Sequence, residues 1–450
     1  MKDRDQVQPG VTRRGLLKGG AAATAGLLAP GLFLPSRAWA AESHPALGSY
    51  PAGVQGDSVM VGLTVPLTGP YSAAGKDEQH GYELAMEQIN KGDDIAHKWG
   101  LKGSGILGKQ IKHKVADSET KPNPAVQAQT RFIEQDKAIM ISGCVSSATA
   151  VALEKLAQRE KVLNMVGASG SNATTGKDCV RYGFRSQHPA YMIGKALAPV
   201  LAKEIGKNKK AAYLVPDYTF GHTVYNSVHE FLGKEGWTVT TEQLAPLGTT
   251  DFSSYLLNIA NSGADVFINI AFGGDSVAST KQASQFGILD KMKLVVPLIS
   301  PFQGPELGPK YLEGVYGTME WHWHLADHYP LSKDFLDSFK NKYNATPRWT
   351  AHIAYMQTYL WALAVEHAGT FYPVEVIKAL ETMKFPNTTL GNVWYQDYDH
   401  QLVRPVPIMK GKSKSEMEND DDYFSVAGVV EGDKLRIPKG TFGCKLGPYK

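Results

Sequence analysis

Two short stretches, Gly143-Cys144-Val145-Ser146-Ser147 and Gly167-Ala168-Ser169-Gly170-Ser171, carry residue types that suit the capture of a small anion. The first runs straight into a helical pattern. The first N–H groups of a helix have no partner within it, and its dipole favours negative charge, so serine hydroxyls at that end suit a carboxylate. Ser146 and Ser147 are therefore expected to hold a carboxylate, with Ala168 and Ser169 on the neighbouring loop; ordinary capping by Ser146 or Ser147 is the alternative. Asp217-Tyr218-Thr219-Phe220-Gly221 and Phe272-Gly273-Gly274-Asp275 stand at equivalent places further along and would supply aromatic walls, if those rings are not core. Tyr71 follows the first predicted strand in Thr68-Gly69-Pro70-Tyr71-Ser72.

No spacing supports catalysis. Gly103-Ser104-Gly105-Ile106-Leu107-Gly108 has the glycines of a dinucleotide-binding turn, but it follows a helix and precedes a strand, the reverse of the required order. His229-Glu230 lacks the second histidine of a metalloprotease helix, and residues 167–171 lack the closing glycine of a nucleophile elbow. Trp321-His322-Trp323-His324 alternates as a strand would, with both histidines on one face and no third metal ligand. Glu418 and Asp420-Asp421-Asp422 lack calcium-loop spacing and read as a solvated acidic turn. A non-enzymatic protein without cofactor or metal is expected.

The elements that must position these loops are legible from periodicity. Residues 59–67, 111–116, 138–142 and 162–166 read as short apolar strands. Between them, residues 75–90, 122–135 and 147–160 read as helices. The alternation restarts after Arg185, with helices at 191–205, 222–235, 252–260 and 275–286 and strands at 211–215, 237–241, 265–271 and 293–297. Strands alternating with helices imply parallel sheets covered on both faces, and ligands of such sheets bind outside the carboxyl ends of the strands. The last third is different, with three helices (331–342, 350–367, 373–383) and then strand-like pieces. Two runs in 450 residues predict an α/β protein of two doubly wound lobes, since one core rarely outgrows ~300 residues.

Charge narrows the partners. The chain carries a formal +3, but residues 1–40 alone hold +4, so the remainder is at −1 and has no electrostatic footprint for nucleic acid. Residues 1–40 read as an export signal: Arg13-Arg14-Gly15-Leu16-Leu17-Lys18, an uncharged stretch, then Ala38-Trp39-Ala40 before the cleavage point. The paired arginines resemble a twin-arginine signal. A retained membrane helix is the alternative, against which stand the short apolar stretch and its breaks at Gly26, Pro30 and Gly31. Of Cys144, Cys179 and Cys444, an odd count leaves at least one thiol unpaired; Cys179 with Cys444 is one pairing that an oxidising periplasm allows.

One resemblance covers nearly all of residues 57–410. Leu67-Thr68-Gly69-Pro70, Gly75, Gly81, Leu84-Ala85 and Ile89-Asn90 are similar to the opening motif of type I periplasmic binding proteins, closest to the branched-chain amino acid (leucine/isoleucine/valine-binding-like) group of ABC transporters. Gly143-x-x-Ser146-Ser147-Ala148-Thr149, Phe184-Arg185, Asp217-Tyr218-x-Phe220-Gly221 and Gly391-Asn392-Val393 with Asp397-x-Asp399 carry it further. The resemblance implies two lobes joined by three hinge crossings: residues 57–184 with 319–391, and 185–318 with 392–450. It also implies that the ligand carboxylate sits on the lobe of Ser146, that Phe220 lies over the ligand, and that Phe272 lines the opposite lobe.

There is one departure. Amino-acid binders of this group commonly place an acid after the strand at 293–297, to meet the ligand ammonium, whereas here Leu298-Ile299-Ser300-Pro301-Phe302 follows, with no acid before Glu306. Either Asp217 or Asp275 substitutes, or the ligand is an organic acid or amide without an amine. Tyr71, Tyr191, Tyr218, Phe220, Phe272 and Trp321 would then suit a bulky aromatic acid. The expected protein is a monomeric periplasmic receptor that delivers a small carboxylate-bearing ligand, of branched-chain or other amino acid type, to an ABC transporter permease and meets the membrane only there. A soluble sensor for a signalling partner is the competing expectation.

Overall fold

The computed structural model describes residues 56–449, and the expected export signal lies outside them. Five strands, β1 (Ser58–Val65), β2 (Gln110–Asp117), β3 (Ala138–Gly143), β4 (Leu163–Val166) and β5 (Gly183–Arg185), form an all-parallel sheet in the order β2-β1-β3-β4-β5. Every residue of β3 and β4 is buried, as expected of strands covered by helices on both faces. Strands β6 (Lys210–Pro216), β7 (Thr238–Ala245), β8 (Val266–Asn269), β9 (Lys293–Leu298) and β10 (Tyr316–Thr318) belong to a second sheet. The small sheet of β11 (Phe385–Thr388), β12 (Gly391–Tyr395) and β13 (Leu402–Val403) comes next. Antiparallel β14 (Val406–Gly411) and β15 (Phe424–Val430) then complete the second sheet as β15-β14-β10-β9-β8-β6-β7.

The chain thus passes between the two sheets three times: after β5, after β10 and around β13. The middle passage returns it to helix Trp349–Ala368, which packs along helix Ser72–Lys91 beside the first sheet. Helix Trp349–Ala368 is apolar almost all round, and nearly every residue in it is buried. Its N-terminus is satisfied by Asp77, whose carboxylate accepts from Arg348 N–H (3.0 Å), Thr350 Oγ1 (2.6 Å) and Ala351 N–H (2.7 Å). Two glycines of the opening motif permit close approach, Gly75 to the chain after β1 and Gly81 to helix Trp349–Ala368. A Cβ at Gly75 would lie 1.9 Å from the Pro66 carbonyl oxygen, and one at Gly81 would lie 2.1 Å from that of Ala351.

Three details depart from the sequence expectations. Trp321-His322-Trp323-His324 is not a strand: a 3-10 turn occupies Trp323–Asp327, and His322 Nδ1 accepts from His324 N–H. Nor is the acidic turn fully solvated. Asp422 is completely buried and paired with Lys412 (2.5 Å) and His324 (3.1 Å), while Asp421 meets Arg348. Finally, the tail beyond β15 does not stay on the second sheet. It lies against residues just ahead of β5, with Cys444 disulfide-bonded to Cys179 and the Gly447 carbonyl accepting from Arg181 Nε (3.2 Å). Cys144 is the buried free thiol. No helix among the described residues is long and apolar enough to cross a membrane.

Candidate ligand-binding site

The carboxyl ends of the strands from both sheets converge on one cavity. From the first sheet come Tyr71 after β1, Val145, Ser146 and Ser147 after β3, and Ala168 and Gly170 after β4. The second contributes Tyr218 and Phe220 after β6, Phe272 after β8, and Leu298 at the end of β9. Trp349 and Gln187 complete the wall.

The turn leaving β3 depends on two left-handed residues, Gly143 (φ 103°) and Cys144 (φ 77°). Glycine is required at the first of them, since a Cβ there would sit 2.3 Å from the Thr64 carbonyl oxygen. The turn delivers Ser146 in an extended conformation at the start of helix Ser147–Glu160, where its side chain makes no capping bond. The Ser146 hydroxyl is buried, and no protein group bonds it. Beside it, Ser147 Oγ accepts from Ser171 N–H (3.1 Å), which ties the two serine loops together. The first four N–H groups of the helix have no carbonyl four residues back within it. An unbonded hydroxyl and a free helix terminus at one cavity wall are complementary to a carboxylate.

Aromatic groups form the remaining wall and span the two lobes. The Tyr71 and Tyr218 hydroxyls hydrogen-bond at 2.9 Å, and Tyr71 meets the Phe272 ring edge-on at 5.2 Å. Phe272 also contacts Phe220 (6.2 Å) and Trp349 (5.8 Å), while Trp349 Nε1 donates to the Ile299 carbonyl (3.0 Å). At the cleft mouth Gly274 N–H donates to the Pro70 carbonyl (3.2 Å). Burial holds both tyrosine hydroxyls well above the usual phenol range, so they act as neutral hydrogen-bonding groups.

The nearest charge is Asp275, which does not line the cavity but helps to raise both tyrosine hydroxyls. None of its described lining residues is ionisable as an acid or base in the neutral range. Asp217 is not brought to the site: its carboxylate is half exposed and pairs with His222 Nε2 at 3.0 Å. Asp275 accepts from Gly248 N–H (2.8 Å), outside the lining, and burial pushes its carboxyl up to about 6. Glu78, beneath the Gly167-Ala168 turn, is fully buried, and its carboxyl is pushed well up by desolvation. Ser169 is also held elsewhere, its hydroxyl bonded to Thr174 Oγ1 at 2.8 Å. Tyr191 packs edge-on against Phe231, and Trp321 stacks on His352; neither lines this cavity. Thus Tyr71, Ser146, Ser147, Ala168, Tyr218, Phe220 and Phe272 come together, and Ser169 and Asp217 do not. Val145, Gly170, Gln187, Leu298 and Trp349 join them without a motif to announce them. Among the described residues no group of three or more His, Cys, Asp or Glu could hold a metal ion.

Behind the cavity the three crossings meet in a buried ion cluster. His188 of the first, Glu320 of the second and Arg404 of the third are all fully buried. Glu320 accepts from His188 N–H (3.0 Å), pairs with the Arg404 guanidinium and lies against the His188 ring. Desolvation pushes the His188 imidazole below its ordinary pKa and outweighs the pull of Glu320.

The comparisons agree with this architecture. A protein from Brucella suis biovar 1 (strain 1330), Leu/Ile/Val-binding protein homolog 7, is 26% identical over 312 residues, covering 67% of this chain and 74% of that one. A periplasmic binding protein from Burkholderia mallei superposes with a TM-score of 0.79 at 23% identity, covering 87% of this chain and 99% of its own. The solute binding protein of an ABC transporter from Rhodopseudomonas palustris BisB5, solved in complex with 3,4-dihydroxy benzoic acid, gives 0.71 at 20% identity, covering 84% and 98%. The model of the periplasmic binding protein family matches residues 58–416, and the chain belongs to that family of solute-binding proteins.

Proposed function

We propose that this protein is the receptor of an ABC importer for a small aromatic carboxylate that carries no amine, bound between the lobes and delivered to the permease in the closed form. One observation carries the choice of ligand. The cavity offers a carboxylate an unbonded hydroxyl at a helix N-terminus and surrounds the rest of the ligand with Tyr71, Tyr218, Phe220, Phe272 and Trp349, but presents no acid. The ammonium of an amino acid would be desolvated there with no carboxylate in the lining to pair with it directly, which is costly. The same fold accommodates 3,4-dihydroxy benzoic acid in the Rhodopseudomonas palustris protein.

The three crossings form the hinge in this reading, and a ligand that touches both walls shifts the population towards closure. Residues 1–40 direct export by the twin-arginine route and are cleaved after Ala40. The names of the Brucella relatives favour an amino acid instead, and the test separates the two. Thermal melts of ligand-stripped protein are expected to rise with benzoate and to stay unchanged with leucine. A rise with leucine and none with benzoate would overturn the choice of ligand.

A further inference from the structure

Among the polar groups that line the cavity, most already have protein partners. The Tyr71 and Tyr218 hydroxyls bond each other, and Ser147 Oγ holds Ser171 N–H. Ser146 is accounted for by the carboxylate. What remains is the side-chain amide of Gln187. The residue is 1% exposed, lines the cavity, and has an oxygen with no partner in the protein. A Cβ added at Gly170 would lie 2.8 Å from the Phe220 ring and 3.6 Å from Gln187 Nε2, so glycine at 170 leaves the amide room beside that ring.

A primary amide presents an acceptor and a donor side by side, and a phenolic hydroxyl, which donates one bond and accepts another, satisfies both. Leaving such a group buried and unbonded is unfavourable, which makes a site of this kind select against an analogue that lacks the hydroxyl. Gln187 is also held firmly enough to discriminate. Its backbone carbonyl accepts from Gln401 Nε2 (2.8 Å) on the third crossing, and the next residue, His188, is locked to Glu320 of the second. The side chain therefore reaches into the ligand space from the point where all three crossings are joined.

We infer that Gln187 is a specificity-determining residue: it reads a hydroxyl on the ring of the ligand whose carboxylate is held at Ser146, so that the preferred ligands are hydroxylated aromatic acids. This rests on the aromatic-acid reading above. The experiment is titration calorimetry of benzoate, 3-hydroxybenzoate and 4-hydroxybenzoate against wild-type protein and Gln187→Leu. Wild type is expected to prefer one hydroxybenzoate over benzoate by tenfold or more, and Gln187→Leu to narrow that preference below threefold.

A preference that survives in Gln187→Leu, or no preference in wild type, overturns the role of Gln187 while leaving the aromatic-acid reading in place. Failure of wild type to bind any of the three acids overturns that reading and this inference with it. Should Gln187→Leu not fold, a crystal structure of wild type with the tighter hydroxybenzoate decides. The ring hydroxyl within hydrogen-bond distance of the Gln187 amide supports the role, and a hydroxyl placed elsewhere refutes it.

Discussion

Ser146 is placed where an N-cap serine normally bonds its own helix, yet its hydroxyl makes no such bond. That idle hydroxyl is the residue-scale sign of a ligand. Ser146→Ala is expected to weaken a bound carboxylate by about 1–2 kcal/mol, the usual value of one hydrogen bond to a charged group. Calorimetry with the same acid measures it, and an unchanged Kd removes Ser146 from the contact set. Asp275 offers a second test. Burial raises its carboxyl to about 6, so the folded protein takes up a proton between the unfolded value near ~4 and that point. The unfavourable contribution of Asp275 therefore grows as pH rises through this window and is constant above it. Asp275→Asn keeps an oxygen for Gly248 N–H and is expected to be more stable than wild type above about pH 6, with the advantage vanishing towards pH 4. Denaturant melts across that range would reveal a pH-independent offset if another group titrates instead.

Strands and helices were readable where burial on both faces or on one stripe dictates composition. Residues 138–142 and 147–160 were expected within a residue of β3 and helix Ser147–Glu160, and that junction is the one that carries Ser146. Trp321-His322-Trp323-His324 misled because four alternating residues fit a strand and a tight turn equally well; the turn is decided by packing against residues far away in sequence. Asp422 failed for a related reason, since one of its partners, His324, is supplied by a distant segment. Gln187 and Trp349 were illegible because they belong to a crossing and to a helix start brought in by the hinge, with no spacing to mark either. The crossings themselves are testable as elements. Glu320→Gln keeps the shape but leaves the buried Arg404 guanidinium without its counter-charge, which typically costs about 3–5 kcal/mol. Chemical denaturation is expected to show that loss, and an unchanged midpoint would mean that packing alone holds the crossings together.

For the whole molecule, two lobes on three strands of chain would be free to splay, and the tail adds a further tie. After β15 the chain runs back to the first lobe and is bonded there through Cys179 and Cys444. Cys444→Ser is expected to lower stability by about 2–5 kcal/mol, checked by melts with and without reductant; equal melts for mutant and wild type under oxidising conditions would show the bridge to be dispensable. The bridge joins residues separated by 265 positions, so the second sheet and every crossing lie inside one covalent ring. A protease that cuts once in any loop of that ring opens it without releasing a fragment, and the cut chain still migrates as a single species until it is reduced. The cleft wall contributed by the second sheet, with Gln187 and Trp349, lies inside that span, so a first nick there leaves it on the same molecule as the wall from the first sheet.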